Sequence, residues 1–288
     1  MSSSVHDNRP CTLGEGAFWH PELGKLFWCD VIGKRLLCDD GREWQFDEHI
    51  SAIGWISKTV LLIASETALL SFNLETNEKA RLCKLEADDP KTRSNDGRAD
   101  PYGGFWIGTM GKQAELDAGA IYRYYKGELR RLFAPITIPN AICFSPDRAF
   151  AYFTDTYYAR MMRVALDQDG WPCAPPSKVL DFSKEGQNPD GAIATEDGEL
   201  LVALWGASRV AHFGRFGELR DTFELPTSHV TCPALGGPNM STLFVTTAQQ
   251  GLSNEKLRNE PHAGKTFAIE TSLRGTPAPK VLVSETVL

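Results

Sequence analysis

The chain has 288 residues, 42% hydrophobic and 23% charged, with a formal net charge of −7 at pH 7, the composition of a globule with ample core. The acidic balance excludes a general nucleic-acid binder, which needs a basic face against phosphates, and argues against anionic membrane surfaces. No apolar window reaches the ~18 residues of a bilayer span, and the first eight residues, Met1 to Asn8, hold no apolar stretch, so no secretory signal is expected.

Helical periodicity is almost absent along the chain. Short apolar runs rich in aromatic and β-branched residues alternate with Gly, Pro, Asp and Asn turns, the pattern of an all-β protein. In chain order the runs are 25–30 (Lys25 to Asp30), 60–65 (Val60 to Ser65), 105–110 (Phe105 to Met110), 150–155 (Phe150 to Asp155), 200–205 (Leu200 to Trp205) and 243–247 (Leu243 to Thr247). Measured between Phe27, Leu62, Ile107, Tyr152, Val202 and Phe244, the intervals are 35, 45, 45, 50 and 42 residues. A second run trails each: 35–38, 68–72, 120–124, 161–164, 210–213 and 266–269. Third runs follow at 178–182 and 220–225. Units of ~40–50 residues with several strands each are propeller blades. The expected fold is all-β, a six-bladed β-propeller occupying residues 1–288 as one domain. A pair of β-sandwiches would not need six in-phase units.

Glu15, Asn95, Asn140 and Asp190 each stand twelve residues before the middle of such a run. The first strand of each propeller blade lines the central channel. With the apolar runs taken as those first strands, the loops entering them lie on one face, and equal phase in equivalent blades means equal position in space, so these four should converge at the mouth of the axis. Each alone reads as an ordinary turn residue: Glu15 between Gly14 and Gly16, Asn140 after Pro139, Asp190 before Gly191. Together, two carboxylates and an amide oxygen make a three-ligand site for Ca²⁺, Mg²⁺ or Mn²⁺, with room for water or substrate. The same offset lands on Ile50, flanked by His49 and Ser51, and on Cys232, neither a strong ligand for a hard cation, so the ring is asymmetric. Asn95 offers a donor and an acceptor, and Arg93 beside it a fixed fork of donors, a pair suited to a polyhydroxylated ligand. Asp96 and Arg98 are read as braces of that loop. The seven cysteines are scattered with no CxxC, which points to reduced thiols in a cytoplasmic protein. The six histidines lack zinc-type spacing, and no Gly-x-Ser-x-Gly string appears.

The strings Leu13-Gly14-Glu15-Gly16, Arg93-Ser94-Asn95-Asp96-Gly97, Gly108-Thr109-Met110, Pro139-Asn140, Phe144-Ser145-Pro146-Asp147, Asp190-Gly191 and Ala203-Leu204-Trp205-Gly206 run the length of the chain, and in their order and spacing it resembles the SMP-30/gluconolactonase family of regucalcins and sugar lactonases. The resemblance implies one divalent cation (Ca²⁺, Zn²⁺, Mg²⁺, Mn²⁺ or Fe²⁺) held by Glu15, Asn140 and Asp190. It implies substrate contacts at Arg93 and Asn95, and hydrolysis of an aldonolactone, pentonic or hexonic, to the aldonic acid, with Asp190 as the catalytic residue that takes a proton from the attacking water, or with that water activated by the cation instead. Some animal members carry a glutamate shortly after the Gly-Thr-Met string; here Gln113 is nearest by count, a departure that bears on sugar preference.

Other readings are a paraoxonase-like esterase or phosphotriesterase, whose sites use more metal ligands, and a calcium-binding or other binding propeller without catalysis. Trp28-Cys29-Asp30 and Phe153-Thr154-Asp155 echo the YWTD repeat of receptor propellers, but only two blades carry it. The partner expected is a small-molecule sugar lactone, with no nucleic acid and no membrane, and the protein is expected to be a monomer or weak homo-oligomer.

Overall fold

The computed structural model describes residues 2–284; Met1 and residues 285–288 of the expected 1–288 unit lie outside the described residues. Within them the strands form six four-stranded antiparallel sheets, five of them meanders of consecutive strands, arranged as the blades of a β-propeller. The innermost strands, in order from blade one, are Gly14–His20, Ile50–Trp55, Thr92–Ala99, Pro139–Phe144, Asn188–Ala194 and Val230–Gly236. The apolar runs legible in sequence are the second strands: Lys25–Asp30, Val60–Ser65, Phe105–Gly111, Phe150–Asp155, Leu200–Trp205 and Thr242–Thr247.

This corrects one expectation. The apolar runs do not line the axis; the strand before each of them does, and the residues read as turn residues are strand residues. The reason is environmental. A second strand is covered on both faces by neighbouring blades, so it becomes a continuous apolar run: Leu26, Phe27, Trp28 and Cys29 are all fully buried. An innermost strand faces the axis, where polar groups and close backbone contacts are needed. Thr92–Ala99 therefore reads Thr-Arg-Ser-Asn-Asp-Gly-Arg-Ala and is nevertheless mostly buried. The pairing between first and second strands is also broken by a bulge in every blade, between Glu15 and Phe18, Ile50 and Ala52, Ser94 and Gly97, Asn140 and Cys143, Pro189 and Ala192, and Val230 and Pro233. Bulges re-aim side chains and erase the period-2 pattern from the sequence.

Apolar wedges between adjacent blades hold the ring. Phe18, Phe27 and Leu36 of blade one pack with Ile53, Leu61 and Phe72 of blade two. Ile193 and Leu201 of blade five meet Leu243, Val245 and Phe267 of blade six. Ser4–Asp7 supplies the outer strand of blade six by pairing with Thr266–Glu270, so the start of the chain closes the ring.

Residues 271–283 cross the far end of the axis as a strap. Thr271 donates to the Ser241 carbonyl and Gly275 to the Met240 carbonyl in blade six. The Arg274 carbonyl accepts from Glu196 in blade five. Trp55 Nε1 donates to the Ala278 carbonyl (2.9 Å) in blade two, and Leu282 donates to the Gly103 carbonyl in blade three. Beneath the strap lies a cavity of about 390 Å³, lined by the finishing ends of the innermost strands, including Phe18, Ile53, Ala99, Phe144 and Leu235. No helix among the described residues is long and apolar enough to cross a membrane.

Candidate functional site

Glu15, Arg93, Asn95, Asn140 and Asp190 all occupy the starting ends of innermost strands, opposite the strapped cavity. Backbone geometry puts Glu15 there. A Cβ on Gly14 would stand 2.6 Å from the Thr247 carbonyl of blade six, and one on Gly16 would stand 2.6 Å from the Ser51 carbonyl of blade two. Gly16 also has φ of +61°. Only glycines let this strand lie so close to both neighbours. Thr231 Oγ1 of blade six donates to the Gly14 carbonyl (2.6 Å) and fixes the same strand.

The incoming loop of blade four is pinned by Asp155, whose carboxylate accepts from the amides of Thr137 (2.8 Å), Ile138 (3.0 Å) and Tyr157 (3.1 Å). Asp30 does likewise in blade one, accepting from Leu13 (3.1 Å) and Gly33 (3.1 Å) and pairing with Arg35 (2.9 Å). The two aspartates of the YWTD-like strings therefore brace the segments that deliver Glu15 and Asn140.

Glu15 and Asp190 are 8% and 6% exposed. Both have pKa values raised above the usual carboxylate range, chiefly by burial. The Glu15 charge raises Asp190 further, and the Asp96 charge adds to the effect on both. Their protein partners are meagre: Glu15 accepts from the Gly16 amide (3.1 Å), and the Gly191 amide favours the Asp190 carboxylate. Neither makes an ion pair with a basic side chain among the described residues. Arg93 is the positive charge felt by both, through space rather than by contact, and burial lowers its own pKa to about 10. Two neighbouring buried carboxylates without a contacting cation, beside an amide oxygen, fit a hard dication with vacant positions for water or substrate. Among the described residues no three His, Cys, Asp or Glu side chains converge on a metal position; the third candidate ligand is an amide oxygen, that of Asn140.

Arg93 Nη1 donates to Asn95 Oδ1 (2.9 Å) and to the Ser94 carbonyl (2.8 Å), which leaves Nε and Nη2 without an acceptor among the described residues. Asn95 Nδ2 donates to Asn140 Oδ1 (3.0 Å) and to the Pro139 carbonyl (3.0 Å). Both of its N–H groups are thus engaged, so Asn95 can offer a substrate only the second lone pair of its oxygen. The sequence expected it to supply a donor as well. Gln113 stands on an exposed turn after the second strand of blade three, its backbone amide donating to Glu115 (3.0 Å).

Ile50 and Cys232, at the remaining two ring positions, are fully buried. Next to Ile50, Ser51 Oγ lies 2.6 Å from the Asn95 carbonyl oxygen and bridges blades two and three. Sequence reasoning missed two further features. Thr156 Oγ1 accepts from Asn140 Nδ2 (2.9 Å) and donates to the Pro189 carbonyl (2.6 Å). Glu66 joins His49 (2.6 Å) and Lys112, and its charge also reaches Arg93. His49, beside the in-phase Ile50, carried a weak signal; Thr156 carried none.

The family model described as SMP-30/Gluconolactonase/LRE-like region matches residues 13–249, a span that holds every residue of this ring. The chain is 35% identical over 277 residues to an L-arabinolactonase of Azospirillum brasilense, covering 92% of this chain and 90% of that protein. It is 28% identical over 288 residues to a pentonolactonase of Haloferax volcanii, covering 93% and 94%. Among solved structures, a calcium-binding protein, regucalcin, from Agrobacterium tumefaciens superposes with a TM-score of 0.94 at 36% identity, covering 96% of each chain.

Proposed function

Because the chain belongs to the SMP-30/gluconolactonase/LRE-like family, we propose that it is a divalent-cation-dependent sugar lactonase that opens an aldonolactone to its aldonic acid. Relatives named as lactonases of sugar acids support the reaction class. The observation that carries the reading is the pair of buried, destabilised carboxylates, Glu15 and Asp190, brought from blades one and five close enough for the charge of one to act on the other.

Glu15, Asn140 and Asp190 would hold the cation, which supplies Lewis-acid polarisation of the lactone carbonyl. Asp190 accepts a proton from the attacking water. That proton passes to the ring oxygen as the ester bond breaks, so lactone and water give one hydroxy acid. The unengaged Nε and Nη2 of Arg93 orient sugar hydroxyls, and Asn95 Oδ1 accepts from one of them. Gln113 is the candidate for a contact at the outer edge of the substrate. The lactone ring is read by these groups one hydroxyl at a time, so a panel of pentono- and hexonolactones will rank by hydroxyl configuration.

The test is Asp190→Asn, assayed by acid release on that panel with Ca²⁺, Mg²⁺, Mn²⁺, Zn²⁺ and Fe²⁺ supplied in turn. Loss of a positioned general base lowers kcat by about 10²–10⁴-fold, with the circular dichroism spectrum retained. Turnover at the unsubstituted rate would remove Asp190 from the reaction.

A further inference from the structure

Asn140 can serve a cation only through its oxygen, yet an asparagine head group is nearly the same shape either way round. Something must decide its orientation. The structure holds a run of four hydrogen bonds through the site: Arg93 Nη1 to Asn95 Oδ1 (2.9 Å), Asn95 Nδ2 to Asn140 Oδ1 (3.0 Å), Asn140 Nδ2 to Thr156 Oγ1 (2.9 Å), and Thr156 Oγ1 to the Pro189 carbonyl (2.6 Å). It spans the innermost strands of blades three, four and five.

The two ends of this run have fixed polarity. A guanidinium can only donate, and a peptide carbonyl can only accept. Every group between them must therefore point the same way. Flipping Asn140 would set its NH₂ against the NH₂ of Asn95. Flipping Asn95 as well would set that NH₂ against Arg93. At the other end, the single hydroxyl proton of Thr156 would have to leave Pro189 to meet a flipped Asn140 oxygen. Asn140 is 4% exposed and Thr156 is half-buried, so an unmatched group here has little water to turn to, at a cost of about 1–3 kcal/mol.

We propose that Thr156 is a positioning residue that locks the Asn140 amide with its oxygen toward Asn95 and the ring and its nitrogen away, so that the oxygen is available to the cation. The proposal rests on the cation-dependent reading above. Thr156 also ends the run on the carbonyl of Pro189, the peptide that leads into Asp190. One hydroxyl thus ties an amide ligand in blade four to the carboxylate ligand in blade five. Residues that orient ligands in this way change metal affinity by about 10–100-fold when removed.

The experiment measures Ca²⁺ and Mn²⁺ dissociation constants by calorimetry on the full chain freed of metal, together with the melting temperature of the metal-free protein. Thr156→Val, close in shape and lacking the hydroxyl, is expected to weaken binding by about 10–100-fold. Thr156→Ser keeps the hydroxyl and should bind close to the unsubstituted protein. Where Val leaves the protein unfolded, Thr156→Ala takes its place. In an Asn140→Asp background both head-group positions are oxygen, so removing the hydroxyl should cost less there. Unchanged affinity in the Val or Ala variant overturns the proposal. Equal losses with and without the Asn140→Asp substitution, or a Ser variant as weak as Val, show packing rather than orientation and overturn it too. Should neither cation bind, Mg²⁺, Zn²⁺ and Fe²⁺ are titrated in the same way; failure of the unsubstituted protein to bind any of the five overturns the cation reading itself, and the proposal falls with it.

Discussion

Arg93 is a basic side chain that the fold has taken almost wholly out of water, 6% exposed; burial lowers its pKa to about 10, and Glu15, Glu66 and Asp190 oppose that effect. Half of its guanidinium is bound to Asn95 and Ser94, and the other half is open. Arg93→Ala should therefore act mainly on substrate hold. Hydrogen bonds to a charged group are worth about 1.5–3 kcal/mol, which corresponds to a rise in KM of about ten- to a hundredfold for sugar lactones. A simple aryl ester has no hydroxyls to orient and should lose much less. Parallel kinetics on both substrates check this, and equal losses would show that Arg93 does not position the sugar. At this scale Glu15, Asn140 and Asp190 were legible because equivalent positions in repeated units share a location. Thr156 was not legible, since its meaning depends on Pro189, 33 residues on and in the next blade. Nor was the engagement of both Asn95 N–H groups, which is set by Asn140 across a blade boundary.

At the scale of the strand, legibility followed burial. Second strands such as Val60–Ser65 and Leu200–Trp205 could be bounded from the sequence because both faces are apolar. Innermost strands such as Thr92–Ala99 and Asn188–Ala194 could not, because the axis imposes polar residues and the bulges break alternation. The outer strand Ser4–Asp7 is short, exposed on alternate residues, and has its partner at the far end of the chain. Blade three shows how such elements are fastened. Asp100, at the turn after its innermost strand, accepts from the amides of Tyr102 (2.8 Å) and Gly104 (2.9 Å) and from Arg123 Nε (2.6 Å). Both side chains of this ion pair are fully inaccessible. Removing one member of a buried pair strands the other, at about 3–5 kcal/mol. Asp100→Ala is accordingly expected to lower the melting temperature by ~10 °C, and Asp100→Asn, which keeps an oxygen for the two amides, by less. Differential scanning calorimetry reads both; an Ala variant as stable as the parent would mean that water compensates Arg123.

For the whole molecule, the site is a property of the ring. Its groups come from four blades, and none of those blades alone brings two carboxylates together. The proposed cation, shared between blades one, four and five, would bind only the closed form and so would stabilise that form by mass action, by about 2.7 kcal/mol at a hundredfold excess over Kd. Treatment with a chelator should lower the melting temperature and abolish lactone hydrolysis together, and adding back the preferred cation should restore both. A chelated protein with unchanged melting and turnover would leave Glu15 and Asp190 without a role for metal.

The pairing of Ser4–Asp7 with Thr266–Glu270 reaches beyond stability. During synthesis Ser4–Asp7 must wait, unpaired, until Thr266–Glu270 has emerged from the ribosome. Contacts that join such remote stretches form slowly. Blades two to five can fold as they appear, but the circle is completed by the last blade made. Catalytic competence should therefore arise abruptly once blade six has emerged, and a chain halted before that blade should be inert even though it already contains all the residues proposed to act on the substrate.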